Sequence, residues 1–183
     1  MILSDAYDYF TQVDKSGGIH THPAFRILLY ALAKSINAQF IVETGYDAGV
    51  TTEALAMTGA YVAAIDNWSE YSDVKVLAKE RLENYPNVQL EMVDALEFLA
   101  RLGNNKVDFI FFDDYHGFNH VEDECREVRR ILRPGGIAAF HDTDYCKIWG
   151  VLETEFPDWQ KINISDDYRN TSYGLGIVIK PID

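Results

Sequence analysis

Between residues 38 and 142 an apolar run recurs five times, and each time an acidic residue stands at or just past its end. AQFIVET carries Glu43, AYVAAID closes on Asp66, VQLEMV runs into Asp94, KVDFIFFDD into Asp113, and GGIAAFHD into Asp142. Runs this continuously apolar suit strands buried on both faces. The stretches between them, such as GVTTEALAM, EYSDVKVLAKERLENY, DALEFLARL and VEDECREVRRIL, space their apolar residues at helical intervals. Repeated strand and helix units of this kind predict an α/β fold: a doubly wound, Rossmann-like sheet with helices on both faces. DYCKIWGVLETEF reads as a further helix, and WQKINI and YGLGIVIK as two consecutive strands forming a C-terminal antiparallel hairpin. The sheet is thus mostly parallel and seven-stranded. AFRILLYALAKSI, with Pro23 at its first position and Thr21 or His22 near its cap, reads as a helix preceding it.

Ligands of such sheets gather beyond the carboxyl ends of the strands. That rule singles out Glu43, Asp66, Asp94, Asp113 and Asp142. An aspartate there is also a good helix N-cap, so capping explains any one of them. Five carboxylates on one rim are better explained by a site.

With 183 residues, the chain is expected to form a single domain over 1–183, with N-terminal helices and a lid over 1–38 and the core over 39–183. Sixteen Lys and Arg against 29 Asp and Glu leave a net charge of -13. Such a surface repels phosphate backbones, which argues against a nucleic-acid partner and for a small or cationic ligand. No run approaches the roughly 20 apolar residues that span a bilayer, so no membrane partner is expected. The start, MILSDAYDYF, lacks a basic leader. Cys125 and Cys146 match no metal or redox spacing, and free thiols in a reducing cytoplasm are the expectation.

The turn after the first strand, IVETGYDAGVTT, narrows the ligand. Gly45 and Gly49 allow a tight bend and close approach. The dinucleotide fingerprint G-x-G-x-x-G is absent, and Asp47 would stand awkwardly beside a pyrophosphate. No G-x-x-x-x-G-K-[ST] loop occurs either. A nucleoside without phosphates fits better. Asp66, 21 residues after Gly45, stands where an acidic side chain takes ribose hydroxyls. A ribose among carboxylates, carrying a positive tail, points to S-adenosylmethionine.

VETGYDAGVTT resembles the E-x-G-x-x-x-G-x-[ST]-T turn of class I S-adenosylmethionine-dependent methyltransferases. AAIDNW and VDFIFFDDYHGF…LRPGGIAAFHD are similar to later segments of their small bacterial branch. The resemblance runs from about Pro23 to Asp142. It implies that Glu43, Gly45, Gly49 and Thr51 line the methionine part and the turn, that Asp66 takes the ribose, and that Asp94 and Ala95 face the adenine. Trp68 is a candidate to cover the adenine. FFDDYHGF and FHDT further resemble segments of the metal-dependent catechol and caffeoyl-coenzyme A O-methyltransferases. That likeness implies a divalent cation, Mg2+ or another, on Asp113, His141 and Asp142, with Asp113 also beside the cofactor.

His116 stands where those enzymes carry a lysine base, and with a reference pKa of about 6.5 it is a workable base near neutrality. Asp114 reads as a solvent-facing neighbour, His120 as a solvated helix cap, and EDECREVRR as an exposed helix face. His20 and His22 read as polar lid residues. Tyr115, Phe118, Tyr145 and Trp149 are candidates for an aromatic wall around a small-molecule acceptor, which a second copy of the chain would help enclose as a homo-oligomer. The expected function is O-methylation of a small-molecule hydroxyl. The rivals are a nicotinamide-dependent oxidoreductase on a similar sheet and a cofactor-binding protein without turnover.

Overall fold

The computed structural model describes residues 21–67, 72–165 and 173–182. The proposed lid at the N-terminus, His20, Trp68 and most of the segment 165–174 lie outside these residues.

Strands β1 (Phe40–Thr44), β2 (Tyr61–Asp66), β3 (Val88–Met92), β4 (Val107–Phe112), β5 (Leu132–His141), β6 (Gln160–Ile164) and β7 (Leu175–Ile179) form one sheet in the order β3-β2-β1-β4-β5-β7-β6. The first five run parallel, and β7 lies antiparallel between β5 and β6. The strand order reverses between β1 and β4. A crevice opens at that reversal, beyond the carboxyl ends of the strands.

The alternation of side chains along β4 explains the two-faced core. Phe109 and Phe111 pack with Ile41, Val62, Ile137 and Ala139 beneath α1 (Pro23–Ser35) and α2 (Val50–Ala56). Ile110 and Phe112 pack on the other face with Val42, Ile65, Ala138 and Phe140. There they meet α4 (Ala95–Arg101), α5 (Phe118–Ile131) and α6 (Trp149–Glu155). The remaining helix, α3 (Ser72–Leu82), brings Ala78 against Tyr46 and Ala64. No described helix is long and apolar enough to cross a membrane.

Two boundaries depart from the sequence reading. Pro134, Gly135 and Gly136, expected as a turn before the strand, belong to β5, as does Leu132, expected to end the helix: Val107 pairs with Leu132 and Phe109 already with Ile137, so the extra residues bulge out of the ladder. The helix expected from Asp144 starts only at Trp149, because Asp142 and Lys147 adopt left-handed conformations (φ 56 and 58) and bend the chain between them. That bend puts Asp142 and Cys146 on the rim. Trp149, a candidate for the acceptor wall, packs instead against the core.

Candidate functional site

The glycine turn ties three strand ends together. Gly45 (φ +77) donates its N–H to Ile65 O at 2.8 Å, and a Cβ there would sit 2.2 Å from Asp113 O. Only glycine lets β1 approach β4 this closely. Asp47 N donates to Asp66 Oδ2 at 3.1 Å. Gly49, also left-handed (φ 74), caps α2, a backbone conformation that favours glycine.

Three hollows meet at Asp113. A cleft of about 340 Å³ lies beyond the carboxyl ends of β1 to β4 and is lined by Gly45, Asp66, Asn67, Asp94, Ala95 and His120, among others. A pocket of about 150 Å³ lies over the start of α2, between Thr21, Tyr46 and Thr51. A more open basin of about 450 Å³ lies on the far side, bounded by Tyr115, His116, Asp142 and Cys146. Asp113 belongs to all three.

Its carboxylate is held from two directions. Thr21 Oγ1 donates to Asp113 Oδ2 at 2.9 Å and accepts from Thr51 Oγ1 at 3.1 Å. Asp113 Oδ1 stands 2.7 Å from His141 Nδ1, which is also 3.1 Å from Asp142 Oδ1. The His141 ring is stacked on Tyr173 and meets Phe111 and Phe25 edge-on, so its orientation is set by packing. His116 Nε2 lies 3.6 Å from Asp142 Oδ2. Ligand atoms of Asp113, His116 and His141 fall within 4.8 Å of one another, as do those of His116, Asp142 and Cys146. His116 therefore belongs to the same cluster as the expected metal ligands. Burial raises the Cys146 thiol further, with Asp142 adding to it, so it is a poor nucleophile.

The carboxylates of the cofactor side differ in setting. Asp94 caps α4, its Oδ1 accepting from Glu97 N at 3.0 Å, and also lines the cleft. Capping and a place in the site coexist. Burial pushes Asp66 up to about 6, against the stabilising Asp47 N–H. Glu43 lies beneath the turn, 1% exposed, and lines none of the three hollows described. Burial pushes its carboxyl up to about 8, although the neighbouring Thr52 hydroxyl lowers it. Its Oε2 has no hydrogen-bond partner among the described residues. Tyr46, buried beside Asp66, is pushed up to about 12 mainly by loss of water.

Of the residues expected to hold a cofactor, Gly45, Thr51, Asp66, Asp94, Ala95 and Asp113 border the cleft or its side pocket. Glu43 and Gly49 shape the turn from behind. His22 is a helix cap, its Nδ1 accepting from Ala24 N at 3.2 Å.

Three expectations are overturned on α5 and in the loop leading to it. Asp114 is not turned to solvent: its side chain is 18% exposed and faces His120. His120 is not a solvated cap, since Gly117 takes the cap position and the imidazole lies between Asp114 Oδ2 (3.3 Å) and Glu124 Oε1 (3.5 Å). Nor is EDECREVRR wholly exposed, because Glu124, Cys125 and Val128 point into the protein. Hydrogen bonds to Asp114 and Glu124 keep His120 protonated far above the usual histidine range. Burial drives Glu124 well above the carboxylate range. The spacing of His120 and Glu124, one helical turn apart, is the signal in the sequence for this cluster.

The family described as a methyltransferase domain matches residues 42–143, more than half of the chain. The O-methyltransferase TomG from Streptomyces achromogenes, involved in tomaymycin synthesis and solved with SAM, has a similar structure (TM-score 0.70, 19% identity, 98% of this chain and 89% of that one). An O-methyltransferase from Bacillus cereus solved with SAH superposes with a TM-score of 0.72 at 16% identity, over 97% of this chain and 90% of that one. A methyltransferase from Geobacter sulfurreducens gives 0.67 at 16% identity, over 98% and 88%. At such identities the likeness is one of fold. No curated protein matches the sequence.

Proposed function

The chain belongs to the methyltransferase-domain family, and from that premise we propose that it transfers the methyl group of S-adenosylmethionine to a hydroxyl oxygen of a small molecule. The observation that carries this reading is the meeting of the three hollows at Asp113. A nucleoside and its amino-acid tail need two connected spaces on one side of the transferred group, and an acceptor needs a third on the other.

The cleft suits the nucleoside. Asp66 accepts from the ribose hydroxyls, and the second carboxylate oxygen of Asp94 accepts from the adenine amino group beside Ala95. The pocket over α2, with the Thr51 and Thr21 hydroxyls at its wall, suits the amino-acid tail. The acidic surroundings favour a cationic nucleoside and oppose a diphosphate, which weighs against the nicotinamide reading. S-adenosylmethionine supplies a methyl group already activated on a sulfonium. What remains for the protein is alignment and removal of the acceptor's proton. His116, in the wall of the open basin, takes that proton, and Asp142 at 3.6 Å steadies the imidazolium that results.

The donors on this rim also fit a divalent cation. Asp113, His141 and Asp142 offer two carboxylates and an imidazole, a mixed set suited to Mn2+, Fe2+ or Zn2+ as well as Mg2+. The 2.7 Å contact of Asp113 with His141 is a hydrogen-bond separation, and holding a metal requires that pair to part slightly. A cation there would acidify a bound hydroxyl.

The test is turnover with methyl-labelled S-adenosylmethionine and a panel of phenols, sugars and hydroxy acids. Label is expected in an ether product and is expected to fall with His116→Ala. Transfer to nitrogen acceptors alone, undiminished in His116→Ala, would overturn the assignment.

A further inference from the structure

Asp114, His120 and Glu124 form a second cluster: Asp114, next to Asp113 in the chain, borders both the basin and the cleft, whereas His120 lines the cleft. One ligand-type atom of each lies within 4.8 Å of the other two. Both carboxylates converge on the same ring nitrogen, Nε2 of His120, at 3.3 and 3.5 Å. That nitrogen carries at most one hydrogen, so it cannot serve both. Glu124 is only 1% exposed, and beyond the 3.5 Å approach of the shared His120 nitrogen its Oε1 has no hydrogen-bond partner among the described residues, nor has Asp114 Oδ1. A buried oxygen left unserved is destabilising, because it has given up its water without a replacement.

A cation removes that conflict. Ligands at 2.0–2.1 Å from a tetrahedral centre stand about 3.3 Å apart, close to both separations. We propose that Asp114, His120 and Glu124 bind a divalent transition metal of the zinc class, with the fourth position facing the cleft that Asp114 and His120 line. Two carboxylate oxygens and one imidazole are a zinc-type set, and three protein ligands with one open position are a recurrent zinc arrangement. His120 and Glu124 are pre-aligned four residues apart on α5, and Asp114 arrives from the end of β4. The metal ties the 113–117 loop to the helix. The site is separate from the Asp113, His141 and Asp142 rim and does not depend on the methyl-transfer reading.

The experiment uses the whole chain, stripped with chelator and titrated with Co2+ while its visible spectrum is followed. Wild type is expected to develop the intense bands of tetrahedral cobalt at one equivalent. His141→Asn is expected to keep them, whereas Glu124→Gln and His120→Asn each weaken uptake at least about tenfold. Circular dichroism checks that each variant is folded. His120→Asn, at a partly exposed position, serves if the buried substitution fails to fold. Absence of tetrahedral bands in wild type, or bands lost with His141→Asn and kept with His120→Asn, overturns the proposal.

Discussion

The two sides of Asp113 are built by different means. On the cofactor side, backbone does most of the holding: Gly45 bonds to Ile65 O, Asp47 N holds Asp66, and the left-handed Gly49 starts α2. On the acceptor side, side chains from distant segments hold one another, with Asp113 against His141, His141 against Asp142, and Asp142 against His116. A ligand common to many enzymes is gripped by the geometry of strand ends. The chemistry, which differs between enzymes, is left to replaceable side chains.

If that division holds, damage on one side spares the other. The largest effect is expected for His116→Ala, which should lower kcat by about 10²- to 10⁴-fold while S-adenosylhomocysteine affinity stays within about twofold. Equal losses in both would erase the division. Gly45→Ala strikes the seam itself, forcing a side chain into a left-handed position 2.2 Å from Asp113 O. It should cost about 2–3 kcal/mol in denaturant unfolding and impair both cofactor affinity and turnover.

Asp66→Asn tests the cofactor side alone. Loss of a charged hydrogen-bond acceptor should weaken S-adenosylhomocysteine binding about tenfold or somewhat more, with kcat at saturating cofactor little changed. The sign of the pH effect follows from the carboxyl at about 6. Ribose hydroxyls donate to the ionised form, so affinity is full above about pH 6 and falls as pH drops through that value. Asp66→Asn should flatten the profile in calorimetry.

A further effect is one of stability alone. The Glu43 carboxyl is raised from 4.5 to about 8, so the unfolded chain ionises first and the fold loses stability as pH rises across that window. Glu43→Gln lacks the titration. Urea unfolding at about pH 5 and pH 9 should show wild type losing on the order of a few kcal/mol relative to the variant.

The same contrast governs what the amino-acid sequence makes legible. The order of strands and helices, the turn and the Asp66 spacing are local patterns, and each strand end carries its own signature. The capping residues Asp94 and His22 are legible for the same reason. The bulge in β5 is not, because its apolar and glycine residues obey the pattern of a turn followed by a strand. His120 and Glu124 read as solvent-facing because charge on a helix ordinarily is, and Asp114 because it stands in a polar loop. Their burial arises from packing of α5 against β4, which no local pattern records. Glu43 is the converse case: its strand-end position marks it as a contact, yet the turn folds over it.

The central claim is that the cleft and its side pocket hold a sulfonium nucleoside. Isothermal calorimetry of the folded chain with S-adenosylhomocysteine, and with NADH as comparison, tests it directly. One equivalent of S-adenosylhomocysteine is expected to bind, more weakly in Asp66→Asn, with no heat from NADH. No uptake of S-adenosylhomocysteine or S-adenosylmethionine by folded protein, or preferential uptake of NADH, would contradict it.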